Sequence, residues 1–232
     1  MKVRLRQIVM VATDLEAAEQ RITDELGVEL CFRDPGVAEF GLRNALFPIG
    51  EQFLEVVSPT EPETTAGRHL ERRGGDSGYM VIVEVDDLAT VRQRLDALGT
   101  RVVFEATAPG VVGLHLHPGD VGGAILSIDE TETWGEWPWA GPDWRDHVAK
   151  DRVEAVLAVT IEANDPPAMA QRWAEVIGLP AHNNVVSFPD GGEIRFVAVG
   201  DRGEGIAGFS LFASNPTDRR SFDICNCYFD TV

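Results

Sequence analysis

The sequence predicts an α+β protein of tandem βαβββ units, whose curved mixed sheets carry helices on their outer face. Two observations predict it. An apolar strand, an acidic helix start and a glycine stop recur in that order three times along the chain. Short apolar segments broken by turn residues then follow each copy.

The first copy reads QIVMVATDLEAAEQRITDELGV from Gln7, the second MVIVEVDDLATVRQRLDALGT from Met80, and the third AVTIEANDPPAMAQRWAEVIGL from Ala158. Aligning Asp14, Asp87 and Asp165 puts the stops at Gly27, Gly99 and Gly178, thirteen, twelve and thirteen residues on. Val9 and Val11, like Val81, Val83 and Val85, are β-branched residues that suit a pleated surface. Thr13 and Glu16 have the spacing of a capping box, and Asp165 before Pro166 is a cap with proline at the first helical position. Leu15, Ala18, Ile22 and Leu26 share one helical face. So do Leu88, Val91, Leu95 and Leu98, and in the third copy Ala170, Trp173 and Ile177. Glycine ends each helix because a left-handed cap costs it least.

Strands are expected over 37–42, 44–48 and 52–57 after the first helix, and over 101–105, 113–117 and 124–129 after the second. After the third they fall at 184–188 and 193–199, joined by an Asp190-Gly191-Gly192 turn. Residues 205–214 read as a fourth opening strand, but Asn215-Pro216 follows in place of a helix, and 221–229 reads as one closing strand. Residues 132–150 are a linker by composition, with Trp134, Trp137, Trp139 and Trp144 as anchors that pin it. The expected domains are therefore 1–131, with two units, and 151–232, smaller and with a truncated last unit.

Lys plus Arg number 20 against 38 Asp plus Glu, a formal net charge of −18, so nucleic acid and anionic membranes are poor partners. No apolar run is long enough to span a bilayer, and the start leads into an amphipathic pattern with no signal-peptide cleavage region. Three cysteines, Cys31, Cys225 and Cys227, fit a reducing, cytoplasmic setting.

The phrases VATDLEAA and VDDLATV, with FLEVVSP from Phe53 and LHLHPGDVGGAILSID from Leu114, resemble the vicinal oxygen chelate superfamily. It includes glyoxalases, bleomycin-resistance proteins, extradiol dioxygenases and methylmalonyl-CoA epimerases. The resemblance covers 3–129 well and 153–214 less fully. It implies a cup formed by paired units, with a divalent metal held from the first and last strand of each. The matching positions are Gln7, Glu55, Met80 and Ser127. Gln7 with Glu55 is compatible with a half-site, whereas a thioether and a hydroxyl suit a hard cation poorly. The expectation is a cup without metal or other cofactor; if a divalent cation is held, Gln7 and Glu55 hold it. In the third unit the matching positions carry Ala158 and Arg195. Arg195 is either paired with Glu162 or Glu193, or free to hold a ligand's carboxylate or phosphate.

Glu55 interrupts an apolar strand. Facing the cup it would have a raised pKa and serve as a general base; facing solvent it would be inert. His115 and His117 alternate along a strand and so share a face, although His117-Pro118 also reads as the turn that follows. Cys225 and Cys227 read as core thiols on one strand face. The leading functional reading is a small organic molecule bound by Gln7, Met80, His115, His117 and Ser127, with Glu55 the candidate catalytic residue. The alternative is a metal-dependent glyoxalase-like lyase or isomerase, or a dioxygenase, using Gln7 and Glu55. A third reading is a scaffold whose open sheet is closed by a partner or by a second copy in a homodimer.

Overall fold

A computed structural model describes residues 1–149 and 151–232, so the last position of the expected linker lies outside the described residues. The first half runs β1 (Val3–Val11), α1 (Leu15–Leu26), β2 (Leu42–Ile49), β3 (Gln52–Pro59), α2 (Thr65–Arg73), β4 (Ser77–Val85) and α3 (Leu88–Leu98). It continues through β5 (Val102–Ala108), β6 (Val111–Leu116), α4 (Pro118–Val121) and β7 (Ile125–Thr131). These seven strands form one sheet in the order β2-β3-β1-β4-β7-β6-β5. β1 lies parallel to β3 and β4 parallel to β7, while β1 and β4 meet antiparallel at the centre.

The second half repeats the plan with β8 (Val153–Ala163), α5 (Pro166–Ile177), β9 (Ala181–His182), β10 (Val185–Ser187) and β11 (Glu193–Ala198). β12 (Gly205–Ala213), β13 (Arg220–Ile224) and β14 (Cys227–Thr231) complete it. The order is β13-β14-β12-β8-β11-β10-β9, so β8 and β12 hold the places of β1 and β4. Between β12 and β13 a short 3-10 turn, Pro216–Asp218, stands where the other units have a helix.

The aligned acids are the caps. Asp14, Asp87 and Asp165 accept from the amides of Ala17, Thr90 and Ala168, and Gly27, Gly99 and Gly178 close their helices at φ 66°, 62° and 85°. The expected capping box at Thr13 does not form, because the Thr13 amide and hydroxyl both donate to Asp76, leaving Asp14 to cap. The buried face of α1 is the expected one, and in α3 Leu88, Val91 and Leu95 are buried while Leu98 is half-buried.

Three local expectations are corrected. Residues 37–42 do not form a strand of their own: Asp34 and Pro35 start a 3-10 turn, Pro35–Phe40, Leu42 already opens β2, and Phe32 makes an isolated bridge to Leu46. Proline supplies no ladder donor, which favours the turn. Residues 221–229 are not one strand but the hairpin β13–β14, turning at Cys225 and Asn226 with φ 51° and 54°. Cys225 therefore lies in a turn, and only Cys227 is buried in a strand. The helix α2 was not expected, since its residues Thr65–Arg73 are mostly polar; Thr64 caps it by accepting from the Gly67 amide.

One apolar cluster draws on both sheets and the helices covering them, including Ile8, Val83, Val159, Trp173 and Phe209. A second covers the opposite face of the first sheet, where Val9, Phe53 and Met80 meet Trp137 and Trp144. Trp137 and Trp144 pack around Phe53, and the Arg6 guanidinium lies 5.0 Å from the centre of the Trp137 ring. No described helix is long and apolar enough to cross a membrane.

Candidate functional site

Strand alternation sorts the first sheet into two faces. Ile8, Met10, Leu54 and Val56 point to the helix-covered core, while Val9, Phe53 and Val57 point to the other side. Glu55 belongs to the second set, two residues from each of Phe53 and Val57. The curl of the sheet makes this side a hollow of about 750 Å³, with Leu46, Val57, Ile82 and Phe104 among its apolar walls. The inward reading of Glu55 is the one the structure places.

Two buried carboxylates sit in the hollow, each in its own set of donors. Glu55 is 8% exposed. Gln7 Nε2 donates to Glu55 Oε2 at 2.8 Å, and Asn44 Nδ2 to Oε1 at 2.7 Å. Gln7 Oε1 in turn accepts from the Trp137 indole at 2.7 Å. Parallel pairing of Val9 with Glu55 sets this geometry by placing Gln7 on the neighbouring strand beside it. Burial pushes the Glu55 carboxyl up to about 7, against the pull of the Asn44 and Gln7 donors.

Asp129 is 2% exposed. The Ser127 hydroxyl donates to Asp129 Oδ1, and the Trp139 indole donates to Oδ2 at 2.9 Å. Burial raises the Asp129 carboxyl to about 7 as well, partly offset by those two donors. Pairing of Ile82 with Ser127 in β4–β7 matches that of Val9 with Glu55 in β1–β3, so Ser127 does hold the repeat position of Glu55. The carboxylate of the second unit stands two residues further along the same face.

Gln7, Glu55, Met80 and His115 all line the hollow. Ser127 does not line it: the hydroxyl is fully buried beneath, spent on Asp129. His117 stands apart, because β6 ends at Leu116 and the His117 ring accepts the Gly119 amide at 3.0 Å as the cap of α4. His115 faces Phe104, ring centres 5.5 Å apart, and burial lowers it to about 4, so at neutral pH it carries no charge. In the second sheet Arg195 pairs with Glu193 at 2.9 Å, and Ala158 is buried. Sequence reasoning did not single out Asn44 or Asp129, and it named Trp137 and Trp139 as linker anchors, not as donors to the site. Same-face spacing from Ser127 was the signal available for Asp129.

Among the described residues no three His, Cys, Asp or Glu side chains gather as a metal site.

The glyoxalase-like domain family matches residues 8–177. The ethylmalonyl-CoA/methylmalonyl-CoA epimerase of Cereibacter sphaeroides is 24% identical over 131 residues, 55% of this chain and 97% of that enzyme. A variant of Streptomyces coelicolor methylmalonyl-CoA epimerase bound to 2-nitronate-propionyl-CoA superposes with a TM-score of 0.52 at 19% identity, over 57% of this chain and 100% of that one. A variant of 4-hydroxymandelate synthase from Streptomyces coelicolor has a TM-score of 0.71 at 15% identity, over 91% of this chain and 71% of that one. At these identities the structural likeness is one of fold.

Proposed function

This chain belongs to the glyoxalase-like domain family, within the vicinal oxygen chelate superfamily, and from that premise we propose that its first cup binds a small organic molecule without a divalent metal. The observation that carries the reading is the state of the four positions where relatives in the superfamily place metal ligands. Gln7 and Glu55 are bonded to each other and to Asn44 and Trp137, so the Gln7 carbonyl oxygen, its one metal-binding atom, already accepts a donor. Met80 offers a thioether, and Ser127 is spent on Asp129. A hard cation wants several free oxygen or imidazole donors, and this set does not fit one. The hollow itself has the size and mixed lining of a small-molecule site.

Elemental analysis of the purified protein, paired with a thermal-shift screen of organic compounds, tests the reading. Substoichiometric divalent metal and a compound-dependent rise in Tm are expected. One tightly held equivalent of metal per chain would overturn it.

A second reading is metal-free proton transfer with Glu55 as general base, favoured by a buried carboxyl poised near neutrality at the cavity wall. Loss of turnover in Glu55→Gln with substrate binding retained would assign that role to Glu55; unchanged turnover would leave binding alone.

A further inference from the structure

We infer that the cup takes an organic cation, an ammonium or guanidinium carried on an apolar body; this rests on the reading that the cup binds a small molecule. Six carboxylates line the hollow: Asp34, Glu39, Glu55, Glu61, Glu63 and Asp129. Among the described residues none of the six forms an ion pair, although acids elsewhere on the surface do, as in Glu19 with Arg33 and Asp120 with Arg101. Arg68 is the one Arg or Lys in the lining. Its guanidinium is turned to its own helix start, donating to the Glu63 carbonyl and the Thr65 hydroxyl. His115 is neutral and brings no compensating charge.

The floor has acceptors to spare. Each oxygen of Glu55 and of Asp129 takes one side-chain donor, and a carboxylate oxygen has room for a second. The two indole N–H groups are already committed, which leaves that room open to the donors of a ligand ammonium or guanidinium. Asp34, Glu39, Glu61 and Glu63, with Glu55 and Asp129 ionised in part at neutral pH, outweigh the single cation Arg68, and a hollow of net negative charge walled by apolar side chains focuses the field on whatever enters. It attracts cations and repels phosphates and carboxylates. Leu46, Val57, Ile82 and Phe104 reward an apolar body, which a bare inorganic cation lacks. The same field disfavours the acyl-CoA compounds that the similar epimerases bind, because their phosphates would meet the acidic rim.

Titration calorimetry at neutral pH with four probes tests this: 2-phenylethylamine, 2-phenylethanol, 3-phenylpropionate and propionyl-CoA. The amine is expected to bind about tenfold more tightly than the alcohol, and the two anions most weakly. In Asp129→Asn the preference for amine over alcohol should fall. Because that substitution is buried, the exposed rim pair Glu61→Gln with Glu63→Gln gives an independent reading and should weaken amine binding about threefold while leaving the alcohol unchanged. Equal binding of amine and alcohol would overturn the cation while leaving the small-molecule reading intact. So would tighter binding of either anion. No binding by any of the four would overturn both.

Discussion

Glu55 and Asp129 are costly residues to bury, and each is kept by donors that a neutral substitute satisfies only in part. The pH dependence of stability follows from burial. Burial raises both folded-state carboxyls to about 7, from ordinary values of 4.5 and 3.8. Between those limits the folded chain holds protons that the unfolded chain has released, so stability falls as pH rises. The decline is expected from about pH 4 to about pH 7, with no further loss from these groups above that. Glu55→Gln should remove its share, so Tm measured from pH 5 to pH 8 should vary less than in the parent. At low pH the variant should be the less stable protein by about 1–3 kcal/mol. A carboxamide there has one acceptor oxygen for two facing donors, Asn44 and Gln7, and Gln7 is held by Trp137. An unchanged pH slope would mean that Glu55 does not titrate near neutrality. At this scale the sequence was half informative. A charge inside FLEVVSP marked Glu55, but which way the strand faced decided its meaning. Asp129 was hidden because repeat alignment points to Ser127, and position in a repeat says nothing about which neighbour carries the charge. Of the two readings of His117 the turn is the one seen, because the strand stops one residue before it.

At the level of elements, spacing between a cap and its glycine stop was the most readable signal in the chain. Three helices start and end where Asp14, Asp87 and Asp165 with Gly27, Gly99 and Gly178 place them, because caps act through local backbone geometry that the sequence states directly. Asp165→Ala should therefore cost about 1 kcal/mol of stability, seen as a lower denaturation midpoint with an unchanged m-value. No loss would show that Pro166 alone sets the start of α5. Elements held by tertiary contacts were less readable. The polar helix α2 owes its burial to Ala66, His69 and Leu70 packing inward, which no apolar stripe announces. The β13–β14 hairpin was missed because Cys225-Asn226 is a weak turn signal, even though both residues take positive φ.

Across the whole molecule, the apolar cluster that includes residues of both sheets ties the halves energetically. Further ties are polar: the Trp173 indole donates to the Gly122 carbonyl at 3.1 Å, and Arg73 to the carbonyls of Arg202, Gly203 and Glu204 at 2.7–2.8 Å. Calorimetric unfolding is expected as one cooperative transition, and two resolved peaks would show that the halves melt separately. Gly78 is a sensitive point of that contact, since a Cβ placed there would collide with Ile206 Cβ. Gly78→Ala should destabilise by about 1–3 kcal/mol through overpacking, and a neutral result would mean the halves shift apart freely. The tandem plan of both halves was readable from repetition alone. Their shared core was not, because an apolar face on a strand does not name the surface it meets.

The two indole N–H groups on Gln7 and Asp129 have an optical consequence. Trp137 and Trp139 are fluorophores wired to the polar floor, so a guest that tugs on either side chain should alter their emission. The chain thus carries a built-in dye, and occupancy can be followed by light without any added label.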